Sequence, residues 1–263
     1  MIISHKHRFI FIKTRKVAGS SIELRLSRLL EPTDVFSSLQ ERSQSGGFEN
    51  LKSKQFHGFD KAGRPIFISG HSPLERVYRK YGKLVADYRV ISVERNPWDR
   101  AVSQFFWSNR KTDMKTRSHD EQVAEFKKFT YRYGPDRLAR KLFGWRKHRA
   151  HSQRNLYSLG ETPIVDFMIR FECLEEDLAR LSGFLELDET LSVKDINAKG
   201  EFRAKKSRDY RLFFDTETKD LVGNSCAWEI ENLGYGFDPT IPPVLIPDPM
   251  RTEVKARFLA KHI

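Results

Sequence analysis

Apolar and polar positions fall along this chain in blocks that predict strands handing over to helices. Phe9 to Ile12 is a short apolar run suited to a buried strand, and Ile22, Leu26, Leu29 and Leu30 then recur at helical spacing. The handover repeats at Arg64 to Ile68, where a short apolar strand meets the turn Ser69-Gly70 and a helix start signalled by Ser72, Pro73 and Glu75. It comes a third time where Val90, Ile91 and Val93 precede Asn96, Pro97 and Asp99, with Arg95 at the strand end. In the helix that follows, Trp98, Ala101, Val102, Phe105 and Phe106 form one apolar stripe, leaving Arg100, Ser103 and Trp107 towards the other side. Three such turns in succession predict βαβ units and an α/β fold with a central parallel β-sheet flanked by helices.

The rest of the chain is less regular. Glu31 to Lys54, rich in Ser, Gly and Gln with Gly46-Gly47, reads as a surface loop. Residues 109–154 read as a helical, basic insertion or cap, with aromatics among the cations of Arg140 to Arg149. Pro163 to Phe171 predicts a further strand, and Cys173 to Leu185 an amphipathic helix on Leu174, Leu178, Leu181 and Leu185. Asp188 to Arg208 reads as a polar loop, and Tyr210 to Leu233 as helical with a break near Gly223 and Asn224. Five prolines between Pro239 and Pro249 predict an extended tail over residues 239–263. The whole, residues 1–263, reads as a single domain.

The loop between the first strand and helix carries the chemistry. It holds Arg15, Lys16, Ala18, Gly19, Ser20 and Ser21, and Ser20 with Glu23 fits a capping box. A helix N-terminus offers free N–H groups and the positive end of the helix dipole, so this loop reads as a phosphate cradle. It is not the common nucleotide-triphosphate loop, in which a lysine immediately precedes the hydroxyl; here Lys16 comes before Gly19. In an open parallel sheet ligands bind beyond the carboxyl ends of the strands, which is where the pattern puts Lys16, His71 and Arg95.

Charge narrows the partners. The formal net charge is +12 and the pI about 9.7, so anionic partners are expected: nucleic acid, acidic glycan or a polyphosphorylated nucleotide. Hydrophobic residues at 39% and charged residues at 31% fit a globular chain. No apolar run approaches the roughly 20 residues that span a bilayer, which suggests a soluble, intracellular protein without a membrane span. Cys173 and Cys226 are too few for a disulfide framework or a cysteine zinc site.

The order Lys16-Val17-Ala18-Gly19-Ser20-Ser21 resembles the 5′-phosphosulfate loop of sulfotransferases that use 3′-phosphoadenosine 5′-phosphosulfate (PAPS), with Arg15 where the carbohydrate branch mostly has proline. Arg95 and Ser103, eight residues apart in VERNPWDRAVSQFFW, resemble the pair that holds the nucleotide's 3′-phosphate in that family. Ser69-Gly70-His71 is similar to the turn that supplies the base in the uronyl 2-O-sulfotransferase branch, and Leu233 to Phe237 resembles its closing segment. The likeness covers about residues 8 to 110 well and 164 to 237 loosely, and suits a bacterial-type, soluble, cytoplasmic member.

The resemblance implies a P-loop-NTPase-like sulfotransferase fold and sulfuryl transfer from PAPS to an acceptor hydroxyl. It makes His71 the base and Lys16 the cation at the departing phosphate oxygen, with the loop from Arg15 to Ser21 around the 5′-phosphate and no metal required. Glu94 or Glu75 is the fallback base, Lys13 reads as a second cation or, more simply, as solvated, and Arg203, Lys205 and Lys206 either close over the nucleotide or belong to a solvated loop. An anionic glycan suits the basic cap as acceptor, and a nucleic-acid partner is not expected. Two other readings stand beside this one: an ATP-dependent kinase of the same loop superfamily, and a basic nucleic-acid-binding protein whose affinity would fall steeply with salt.

Overall fold

The computed structural model describes residues 1–36, 40–42, 48–50, 56–59, 65–67, 69–133, 151–196 and 209–262. The expected roles of Arg140 to Arg149 and of Arg203, Lys205 and Lys206 lie outside the described residues. The chain divides into two compact units, residues 1–94, 154–198 and 244–263 in one and residues 95–153 and 199–243 in the other.

The first unit is built on a five-stranded mixed sheet, which makes the α/β class a finding. Its strands are β1 (Ile2–Ser4), β2 (Phe9–Ile12), β3 (Val35–Phe36), β8 (Arg89–Glu94) and β11 (Phe167–Arg170), in the order β11-β8-β2-β1-β3. The inner strands β2, β8 and β11 run parallel, pairing Phe11 with Ile91 and Ile91 with Phe167. β1 and β3 extend the sheet antiparallel. Residues Phe9–Ile12 are all buried, as a strand covered on both faces requires. Helix α1 (Gly19–Ser27) follows β2, α2 (Leu74–Tyr81) precedes β8, and α5 (Leu174–Phe184) follows β11. Phe9, Phe11, Val17, Ile22, Leu26, Ile91, Ile169, Leu178 and Leu181 share one core.

The second expected strand departs from the prediction. Between the sheet and α2 lie two hairpins, β4 (Gln40–Arg42) with β5 (Phe48–Asn50) and β6 (Phe56–Phe59) with β7 (Pro65–Phe67). Pro65, having no N–H to give to a ladder, is suited to an edge, and the strand before His71 belongs to this hairpin and not to the parallel sheet. β9 (Ser158–Leu159) and β10 (Thr162–Pro163) form a further hairpin.

The second unit holds α3 (Pro97–Ser108), α4 (His119–Tyr133), α6 (Thr216–Ser225) and α7 (Ala227–Leu233). Asn96 caps α3 as expected, its side chain accepting from the N–H groups of Trp98 and Asp99. The predicted stripe packs with Phe126, Phe129, Phe213 and Val222, and Phe105 meets Phe126 edge to face at 5.6 Å. Arg100 contradicts the outward placement: it is buried and donates to the His151 carbonyl at 2.8 Å. The helical break falls at Cys226, just after the Gly223-Asn224 pair.

The tail also differs, for residues after Pro249 form α8 (Arg251–His262) in the first unit. Free of Gly and Pro, it sets Phe258 against Tyr78 at 6.5 Å between ring centres, and Arg251 pairs with Asp166 at 3.0 Å. No helix among the described residues is long and apolar enough to cross a membrane.

Arg170, ending β11, is gripped by Asp177 on α5, with Nε–Oδ2 at 2.8 Å and Nη2–Oδ1 at 2.6 Å, and both side chains are buried. Removing Asp177 takes the two-point contact away from a buried guanidinium, leaving it Glu176 at 3.3 Å on the exposed side. Asp177→Ala should lower unfolding stability by about 3–5 kcal/mol, read from urea denaturation midpoints, and a loss under about 1 kcal/mol would contradict the arrangement.

Candidate active site

Two hydroxyls tie the carboxyl ends of β2 and β8 before the loop begins. Ser92 Oγ donates to the Ile12 carbonyl at 3.1 Å, and Thr14 Oγ1 donates to the Val93 carbonyl. From this anchor the chain bends through Arg15 to Ala18 into α1. Lys16 and Ala18 take left-handed backbone angles, with φ of 64° and 56°. A side chain costs roughly 1 kcal/mol or more there, so something must hold the bend. Val17, between the two, is fully buried in the core with Ile22 and Leu26.

The result is a run of unspent donors. Among the described residues the N–H groups of Val17, Ala18, Gly19 and Ser20 donate no hydrogen bond, whereas those of Ser21 and Ile22 turn back to the Ala18 carbonyl at 2.9 and 3.1 Å. Four successive free amides at the start of a nine-residue helix make an anion cradle. The expected capping box is absent: the N-cap is Ala18, with no side-chain cap bond, and Glu23 is engaged by Lys13. The Ser21 hydroxyl makes no hydrogen bond among the described residues and remains available to a ligand.

Lys13 was expected in solvent, and the structure corrects this. Its side chain is 13% exposed, and Nζ lies 3.2 Å from Ser20 Oγ and 2.5 Å from Glu23 Oε2. The path crosses Gly19, where a Cβ would fall 2.8 Å from Lys13 Cγ. No sequence period links positions 13 and 23. The signal that existed was the lack of a side chain at 19 beside a long cation.

His71 reaches the same loop by a route the sequence reading missed. Residues 69–72 close on themselves, with the Ser69 N–H donating to Ser72 Oγ at 2.9 Å and the Ser72 N–H to the Ser69 carbonyl at 3.1 Å. Nδ1 of His71 lies 2.9 Å from the Lys13 carbonyl, and a carbonyl only accepts, so Nδ1 carries the proton. The lone pair of the neutral ring is thereby assigned to Nε2. Burial pushes this imidazole down to about 4; the hydrogen bond to Lys13 opposes that, and the charges of Lys13 and Arg15 add to it.

The other predicted residues are placed as follows. Arg15 and Lys16 are half-buried in the loop. In the second unit Arg95 donates through Nε and Nη2 to Asp99 Oδ2, at 2.8 and 2.5 Å, one turn before Ser103 on the same helix. The Ser103 hydroxyl makes no hydrogen bond among the described residues. Of the fallback bases, Glu94 is buried under the Tyr157 hydroxyl at 3.1 Å, and Glu75 pairs with Arg79 on the surface.

A cradle of free amides at the carboxyl end of a parallel strand, with a histidine tied to the same loop, defines an α/β protein suited to a phosphate- or sulfate-bearing ligand. The model of the Sulfotransferase family matches residues 1–222, and the chain belongs to that family. Neither a curated protein nor a solved structure matches it. Membership makes the chain a transferase whose general chemistry is transfer of a sulfuryl group.

His151, buried in the second unit, is likewise pushed down to about 4 by burial, with Arg100 nearby adding to the effect. For both imidazoles the folded value lies below the ordinary 6.5, so between these values the unfolded chain binds more protons. Stability is therefore full above about pH 6.5 and is lost as pH falls towards 4. In an NMR titration the His71 and His151 ring signals should keep their neutral-form positions down to about pH 5, and midpoints near 6.5 would contradict these environments.

Proposed function

We propose that the chain transfers the sulfuryl group of PAPS to an acceptor hydroxyl, with a carbohydrate as the acceptor class. The observation that carries this reading is the run of free amides from Val17 to Ser20, held on a loop to which His71 is also tied. The cradle suits the 5′-phosphosulfate: four N–H donors, the Ser21 hydroxyl and the Lys16 charge belong to one turn. PAPS, when bound, supplies the sulfuryl group and leaves as 3′,5′-adenosine bisphosphate.

The remaining roles follow from the side chains. His71 takes the acceptor's proton at Nε2, which stays unprotonated at neutral pH because the ring is buried beside two cations. Lys16 balances the charge that develops on the departing phosphate oxygen. Arg95 and Ser103 bind the 3′-phosphate, by a planar donor fork and a hydroxyl. Support for Ser103 is its uncommitted hydroxyl, and for Arg95 the guanidinium already oriented by Asp99. The net charge of +12 favours an anionic glycan as acceptor.

Labelled PAPS with a panel of sulfated and uronate-bearing glycans tests the reading. Lys16→Ala and His71→Ala should each lower kcat by about a hundredfold or more, whereas Arg95→Ala should chiefly raise KM for PAPS. Full activity in His71→Ala would move the base to another residue. Nucleotide charge offsets Lys13 and Arg15, so the acid limb of kcat should lie at higher pH than that of kcat/KM; the reverse order would contradict His71 as the base.

A further inference from the structure

Lys13 is a half-buried cation at this loop to which the reaction as proposed assigns no role. It stands where β2 ends, 13% exposed, with Nζ held between Ser20 Oγ at 3.2 Å and Glu23 Oε2 at 2.5 Å. An ammonium has three protons to give and no lone pair to receive with. Ser20 Oγ therefore accepts from Lys13, and its single proton must point elsewhere. Among the described residues Ser20 makes no other hydrogen bond, and its own N–H is one of the four unspent amides.

The geometry points to Lys13 as a positioning residue for the anion cradle: by donating to one lone pair of Ser20 Oγ, it orients that hydroxyl and leaves its single O–H to be given to a ligand. Ser20 then presents an N–H and an O–H to the same ligand, because a hydroxyl held by Lys13 has less freedom to turn a lone pair towards the anion. Glu23, 1% exposed on α1, fixes the other side of Nζ and keeps the cation from swinging into the cradle itself. Gly19 completes the arrangement, because a Cβ there would fall 2.8 Å from Lys13 Cγ and close the path across the helix start. The inference rests on the reading of this loop as the 5′-phosphosulfate site.

A double-mutant cycle on the full chain tests it, with 3′,5′-adenosine bisphosphate titrated by calorimetry into the wild type, Lys13→Met, Ser20→Ala and the pair. Lys13→Met and Ser20→Ala should each weaken binding by about tenfold, as loss of a hydrogen bond to a charged group does, and the pair should be scarcely weaker than either alone. Adenosine 3′-monophosphate, which lacks the 5′ group, should bind wild type and Lys13→Met equally, a result that a merely misfolded variant would not give. Gly19→Ala keeps every charge while displacing Lys13, and should give the same loss for the bisphosphate if Lys13→Met fails to fold. Equal losses on mutating Lys13 with and without the Ser20 hydroxyl would overturn the inference, leaving Lys13 as a plain charge. A wild type that binds the bisphosphate with no change in Lys13→Met or Gly19→Ala would overturn it while leaving the PAPS reading intact. A wild type that binds neither nucleotide would overturn both.

Discussion

Everything at this site depends on Val17 being buried between two residues whose backbone is held left-handed. An apolar side chain driven into the core beside Ile22 and Leu26 fixes the path of the loop, while Lys16 and Ala18 absorb the strained turns. The burial of one valine is worth about 1.5 kcal/mol or more, comparable with what one such turn costs. The turns in their place leave four amides that donate no hydrogen bond among the described residues. A folded chain rarely wastes donors in this way, and an anion is the natural partner for them.

The same loop organises its neighbours. Its first carbonyl, at Lys13, sets which nitrogen of His71 carries the proton, and its first side chain crosses Gly19 to meet Ser20. One short segment therefore couples the cradle, the candidate base and the hydroxyl pair. Hydroxyl ties from Thr14 and Ser92 hold this segment to the neighbouring parallel strand, so the cradle is fixed to the inner strands of the sheet.

Much of this was legible in the residues, and the reasons for the rest are physical. The apolar run Phe9 to Ile12 and the Asn96-Pro97 cap follow local rules and stand where the pattern put them, and α1 begins within the expected loop but with Ala18 as N-cap and no capping box. The left-handed angles were hidden because glycine does not mark them; Lys16 and Ala18 do, and only tertiary packing explains that. Lys13 and Glu23, ten residues apart across a turn, share no period, and Arg100 sits on the polar side of its helix yet is buried by the His151 segment. The strand before His71 pairs in a separate hairpin, so the histidine meets the loop by its Nδ1 bond and not at the end of a third parallel strand. The C-terminal helix was masked by the prolines before it.

The most direct test of the central claim is a calorimetric titration of the wild-type chain with 3′,5′-adenosine bisphosphate in metal-free buffer, beside ATP with Mg²⁺. The bisphosphate should bind without metal and more tightly than ATP. Binding of ATP with Mg²⁺ and none of the bisphosphate would contradict it, because the cradle would then serve a triphosphate and not PAPS.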